Sequence, residues 1–357
     1  MMEEYRHDLT KILERTMEIA GSDIYIFPGA KVIAKVGESM VSLSDEKLRT
    51  SECEAFLQQI YLLADRRDMS RLEKSGDDDF SFGMAKLGRF RCNAFKQRGT
   101  LAAVLRVVPF DLPDVVALGI PEVVLGLSTK RRGMVLVTGP AGSGKSTTLA
   151  CIIDKINRES TGHIITLEDP IEYIHPHKNC LVTQREIMND TMSFAYALRS
   201  ALRQAPDVIL LGEMRDFETI QTALTASETG HLLFSSLHTI GAAKTIDRIV
   251  DAFPAAQQQQ VRVQLSLVLQ AVISQQLIPT VKGELVAAFE VMIVDNAIAN
   301  MIREGKVHQM DNVIYAGAAQ GMVTMDSDIL RLYKEGKITR ENAMMYAINA
   351  DVLAKRM

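Results

Sequence analysis

Eight consecutive residues, Gly139, Pro140, Ala141, Gly142, Ser143, Gly144, Lys145 and Ser146, fit the phosphate-loop pattern G-x-x-x-x-G-K-[ST] at every fixed position. Their context fits as well. Residues 133–138 ahead of them are a short apolar, β-branched run that reads as a buried strand, and 147–156 read as a helix. Glycine lets backbone N–H groups turn inward around a phosphate with no Cβ in the way. The helix N-terminus, where Thr147 falls, adds partial positive charge. Lys145 can neutralise β- and γ-phosphate oxygens, and the Ser146 hydroxyl can ligate Mg2+. The bland alternative is a glycine turn that merely joins strand to helix. A full match in a strand–turn–helix context argues against it.

Acids follow at strand ends. Residues 208–211 are apolar, Gly212 follows, and Glu213 comes next, at the edge where doubly wound sheets bind ligands. A carboxylate there can hold Mg2+ or orient an attacking water. The alternative is a strand that happens to end in Glu. Glu168, Asp169 and Glu172 put three carboxylates within five residues, and Pro170 pins the turn so that Glu168 and Glu172 face one edge. Such a group is costly unless a cation or water network uses it; otherwise it is a solvated acidic loop. His231 and His238 flank the apolar run 232–237. A histidine at a strand end caps or packs as readily as it senses a γ-phosphate, so both roles stay open for His238.

Arg89, Arg91, Arg98 and Arg106 fall within eighteen residues. Arg89 and Arg91 are two apart and share a strand face. Guanidinium forks suit phosphate oxygens. On these residues alone, a solvated strand face is the favoured reading.

The elements that must position these groups divide into two sets. Tyr5, Leu9, Ile12, Leu13, Met17 and Ala20 have helical spacing over residues 3–20. Strands are expected at 23–27 and 31–36, and a helix from Ser51 to about Lys74, capped by Ser51 with Glu54. A charged loop is expected at 76–79, then strands at 80–82, 88–95 and 101–108. Residues 1–110 therefore read as a smaller α+β domain with a mostly antiparallel sheet. Pro109 and Pro113 mark a linker, taken as 111–118. From 119 to 357 the rhythm is α/β. Strands at 134–138, 163–167, 207–211, 231–236 and 285–293 alternate with helices at 145–158, 193–204, 215–229, 242–251 and 255–276. That predicts a mainly parallel sheet with helices on both faces, and a helical segment over 295–355.

Composition narrows the classes. The chain has 357 residues, 47% of them hydrophobic, enough for two sizeable cores. A net charge of −4 with no basic stripe argues against nucleic acid as a partner. Cys53, Cys92, Cys151 and Cys180 are scattered with no C-x-x-C pair, which argues against zinc and suits a reducing cytosol. No run approaches the ~20 apolar residues of a membrane span, and the acidic N-terminus lacks a signal-peptide core. Membrane association is expected only through partners.

Four ordered motifs, GPAGSGKSTT, ITLEDPIEY, DVILLGEMRD and TGHLLFSSLHT, together resemble the ATPase superfamily of type II secretion and type IV pili. The resemblance runs over nearly the whole chain and is nearest to pilus retraction ATPases of the PilT type. It implies a RecA-like ATPase domain after a PAS-like one, a homohexamer, and ATP with Mg2+. It also implies a cytoplasmic place at the inner membrane face, against a platform protein. By this resemblance residues 139–147 hold phosphate, Ser146 and Glu213 serve the metal, and Glu213 is the Walker B acid. Glu172 becomes the general base or water-positioning acid, and His238 the γ-phosphate sensor. Arg89, Arg91 and Arg106 would reach the nucleotide from the first domain.

Departures are few. Ala141 stands for a usual Thr, Ser235-Ser236 for Gly-Thr, and Tyr25 for His in an early A-S-D-L-H stretch. Residues 297–304 resemble the A-I-R-N-L-I-R-E signature of retraction motors, with Ala299 for its first Arg and Met301 for its Leu. Asp295 or Asn296 is expected to cap that helix, with Ile298, Met301 and Ile302 inward. Rival readings are an assembly or secretion ATPase of the same superfamily and a nucleotide-sensing adaptor with little turnover.

Overall fold

Leu9, Ile12 and Leu13 bury one face of the first helix, α1 (Leu9–Glu18), whose Asp8 cap accepts the N–H of Thr10. The computed structural model describes residues 8–84, 87–108 and 112–357. The expected start of α1, with Tyr5, lies outside them, as do Pro109, Phe110 and Asp111 of the expected linker region. The described residues form two compact units, the first made of those up to 108 together with Glu172–Ile174, the second of 112–171 and 175–357.

In the first unit β1 (Asp23–Ile26), β2 (Ile33–Val36) and β3 (Ser39–Ser42) precede α2 (Thr50–Leu63) and α3 (Ser70–Ser75). The strands β4 (Asp77–Met84), β5 (Gly88–Gln97) and β6 (Thr100–Val108) follow. All six strands join one antiparallel sheet in the order β3-β2-β1-β6-β5-β4. Period-two alternation sends Ile24, Ile26, Phe90, Cys92 and Leu105 to one face, where they bury with Leu9, Leu13, Phe56 and Ile60. Each fully buried side chain of this kind is worth about 1.5–3 kcal/mol.

Three expectations for this unit are corrected. The helix expected from Ser51 to Lys74 breaks after Leu63, where Asp65 and Arg66 take left-handed backbone. The cause is Asp78, which is fully buried and accepts Tyr61 Oη at 3.0 Å and Arg67 Nε and Nη2 at 2.9 and 3.0 Å. Removing one partner of a buried pair costs ~3–5 kcal/mol, whereas helix propensities differ by tenths, so the chain turns to deliver Arg67. The cap is Arg49 rather than Ser51, with Glu52 accepting the Arg49 N–H at 2.7 Å. Residues 77–79, expected in a loop, open β4, because Asp78 is drawn inside.

The second unit begins with α4 (Glu122–Gly126), β7 (Gly133–Thr138), α5 (Lys145–Glu159), β8 (Gly162–Glu168) and β9 (Cys180–Glu186). Next come α6 (Phe194–Ala201), β10 (Val208–Leu211), α7 (Phe217–Glu228), β11 (Leu232–Leu237), α8 (Ala242–Asp251) and α9 (Ala255–Val268). The hairpin β12 (Leu269–Pro279) and β13 (Leu285–Ile293) leads to α10 (Asn296–Glu304), α11 (Met310–Ala316), α12 (Met325–Lys334), α13 (Arg340–Tyr346) and α14 (Ala350–Ala354). The sheet runs β13-β12-β7-β11-β10-β8-β9, parallel throughout except at the antiparallel edge strand β13. Met134 and Leu136 point to the core shared with α6 to α11, while Val135 and Val137 point to the core shared with α4 and α5.

Two strands of this sheet run against expectation. Residues 269–276, read as the end of a helix, form most of β12. Ala271, Val272 and Ile273 are buried on both faces, and a strand buried on both faces shows no alternation to separate it from a buried helix. β9 was not expected at all. It is an edge strand of mixed polarity with an exposed Leu181. Asp295 caps α10 by accepting the Ile298 N–H at 2.8 Å, and Ile298 and Ile302 are buried, with Met301 partly so. Among the described residues no helix is long and apolar enough to cross a membrane.

Candidate active site at the parallel sheet edge

The chain leaves β7 at Thr138 and enters α5 at Lys145, so the six residues between form a tight loop. Gly139, Gly142 and Gly144 all have positive φ, at 142°, 75° and 82°. At Gly139 a Cβ would lie 2.1 Å from the Gln275 carbonyl oxygen, and at Gly144 2.9 Å from Gln275 Nε2. Glycine is therefore required by packing as well as by backbone angle. Lys145 is buried, and its Nζ donates to the carbonyls of Gly139 at 3.0 Å and Pro140 at 2.8 Å. The ammonium thus lies on the loop's own backbone. The hydroxyls of Thr138 and Ser143 are buried with no hydrogen-bond partner among the described residues. Ser146 and Thr147 are half-exposed in the first turn of α5. An uncapped helix start, a lysine and idle hydroxyls make a receptor for anionic oxygens.

Neighbouring strand ends bring the acid and the histidine. Register sets Leu237 beside Thr138, so His238 and Gly139 leave adjacent strands at the same level. Leu211 pairs with both Leu167 and Ser235. Gly212 is held on both sides, its N–H donating to Leu167 O at 2.8 Å and its carbonyl accepting Ser236 Oγ at 2.6 Å. That fixes the buried Glu213, whose carboxylate pairs with Arg215 through one oxygen and lies 3.3 Å from His238 Nε2 through the other. Ser236 keeps the hydroxyl of the usual threonine, while Ser235 adds a buried hydroxyl with no partner among the described residues.

The acidic loop behaves less uniformly than its spacing implies. Glu168 Oε1 accepts Thr166 Oγ1 at 2.6 Å and Gln184 Nε2 at 3.3 Å. Its carboxylate is engaged within the sheet rather than shared with Glu172. Glu172 is exposed and makes no hydrogen bond or ion pair among the described residues. Just before it, the Ile171 N–H donates to the buried Glu186 at 3.2 Å. His231 is a packing residue, its Nδ1 set 3.0 Å from the Ala226 carbonyl.

Arg89, Arg91 and Arg106 lie together on the first unit's sheet face opposite its core. Arg91 pairs directly across from Arg106, and Arg89 across from Val108. Two like charges face to face repel, and each has a carboxylate. Arg91 Nε and Nη2 reach Asp79 at 3.1 and 2.5 Å, and Arg106 Nε reaches Asp23 at 2.8 Å. Burial acts to raise the Asp23 carboxyl, but hydrogen bonds from Arg106 and Ser22 outweigh it and hold it below its ordinary value. Neither carboxylate was singled out from the sequence, although Asp77–Asp79 is an obvious acidic run. Arg98 is apart from the three, in the β5–β6 turn with φ of 49°.

A cavity of about 630 Å³ beside the first turn of α5 was also missed. Gly144, Thr147, Thr148 and Gln275 line its polar end, and Ile120, Leu277 and Leu285 its apolar wall. Thr148 Oγ1 donates to Gln275 Oε1 at 2.7 Å across 127 positions of sequence. Its volume falls in the range of small-molecule sites. Among the described residues no three or more His, Cys, Asp or Glu are grouped to hold a metal ion.

Residues 3–352 match the family model of the type II/IV secretion system protein. The chain is 47% identical to the type IV pilus retraction ATPase PilT of Pseudomonas aeruginosa, over 94% of this chain and 97% of that protein. It is 50% identical to a twitching motility protein of Neisseria gonorrhoeae, over 77% of this chain and 74% of that one. A crystal structure of the pilus retraction motor PilT with bound ADP superposes with a TM-score of 0.91 at 45% identity, over 98% of this chain and 99% of that chain. Since this family model spans nearly the whole chain, the chain belongs to the type II/IV secretion system protein family.

Proposed function

We propose that this chain hydrolyses ATP and, as a ring of six copies, drives retraction of type IV pili. The observation that carries the reading is the likeness to a pilus retraction ATPase over 94% of the chain. The site chemistry agrees with it. Backbone N–H groups of residues 139–147 receive the phosphates. Lys145 exchanges the Gly139 and Pro140 carbonyls for β- and γ-phosphate oxygens. The cavity beside Thr148 and Gln275 receives the base and ribose. Ser146 and Glu213 hold Mg2+, which when bound neutralises charge on the phosphates.

Glu172 takes the proton of the attacking water as its oxygen bonds to the γ-phosphorus and the bond to the bridging oxygen breaks. His238 leaves Glu213 to contact the γ-phosphate. Arg89, Arg91 and Arg106 supply positive charge from the first unit. The ring works at the inner membrane face against a platform protein. Deleting the gene should leave cells with abundant surface pili that cannot shorten, scored by microscopy and twitching assay. Bald cells would instead make this the extension motor.

A further inference from the structure

One row of paired residues crosses the second unit's sheet at the level of the phosphate loop: Thr138 on β7, Ser274 on β12 and Glu290 on β13. Two of the three reach out to the same helix. Helix α8 begins four residues after His238, and its N-cap, Gly241, has no side chain to satisfy the first N–H groups. The row supplies the missing acceptors. The Gly241 N–H donates to Ser274 Oγ at 2.9 Å and the Ala242 N–H to Glu290 Oε1 at 2.7 Å. The other carboxylate oxygen accepts the N–H of Met325, first residue of α12, at 3.4 Å. Glu290 is 6% exposed, so both helix starts point at a carboxylate that water barely reaches. Burial pushes this carboxyl up, and the two N–H donors pull it back.

We propose that Glu290 is a positioning residue: with Ser274 it fixes the start of α8, hence the short segment that carries His238, and ties that segment to α12. Only Thr239 and Ile240 separate His238 from the fixed Gly241, and Thr239 is itself bonded to Thr245 at 2.7 Å. His238 must leave Glu213 for the γ-phosphate without wandering, and a firm downstream anchor limits its range. Through the second oxygen, the C-terminal helices share the anchor. This rests on the ATPase reading for its effect on turnover.

The test compares Glu290→Gln with Asp328→Asn in the full chain. Asp328 is an equally buried carboxylate that accepts the Phe289 N–H at 2.9 Å but has no bond to α8. A catalytic contact displaced by ~1 Å loses about 100-fold, so E290Q should lower kcat about 10- to 100-fold with ADP affinity within about threefold. D328N should keep kcat within about threefold. Amide exchange over residues 239–246 without nucleotide should speed up in E290Q and not in D328N. Ser274→Ala, which removes only the Gly241 acceptor, should show the same loosening to a lesser degree. Unchanged exchange there in both E290Q and S274A, or equal losses of kcat in E290Q and D328N, would overturn the proposal. A wild-type chain without hydrolysis would strike the ATPase reading alone, because the exchange experiment needs no turnover.

Discussion

Lys145 is buried at the first residue of α5, whereas Arg106 stands two-thirds exposed on an open sheet face. Lys145 is bonded to backbone carbonyls that belong to the loop itself, while Arg106 and Arg91 are bonded to carboxylates on neighbouring strands. The first arrangement is preorganised: the charge is buried and held between a strand end and a helix start. The second is an exchange arrangement. Under the proposed function, Arg91 and Arg106 would have to trade Asp79 and Asp23 for phosphate. One unit thus holds its cation through backbone and burial, the other through side-chain ion pairs.

Breaking the preorganised side should have the largest effect. Lys145→Ala should leave a folded chain and lower kcat by at least ~10²–10³, the cost of losing one fixed donor to developing charge. Phosphate release under saturating Mg2+ and ATP measures it. Turnover near that of wild type would place the phosphates elsewhere. The exchange side should give less. Arg106→Ala should lower kcat about 10- to 100-fold, as for one charge-assisted hydrogen bond, since Arg89 and Arg91 remain on the same face. Its stability should fall by about 1–3 kcal/mol, because Asp23 is buried and loses its charged donor. If R106A matched K145A in kcat, the distinction between the two regions would collapse.

The phosphate loop, Glu213 and His238 were legible in the sequence because each is fixed by its own few residues. A strand end, a glycine and a polar residue determine where such a group goes. The groups that hold them were not legible. Gln275 braces Gly139, Gly144 and Thr148 from a strand that reads as helix, since β12 is buried on both faces. The nucleoside-sized cavity depends on that same strand. The break in the helix expected over 51–74 likewise follows from Asp78, eleven positions after the Arg67 it captures. Local pattern specified where the loop and the strand-end residues lie, while long-range pairing specified their supports.

The proposed mechanism separates the groups that bind nucleotide from Glu172, which acts on water. Glu172→Gln tests it most directly, because Gln fills the same space and cannot accept a proton. ATP affinity by equilibrium titration should stay within about threefold, while kcat falls ~10²–10⁴. A collapse of ATP affinity with the residual rate kept high would contradict it and make Glu172 a binding residue.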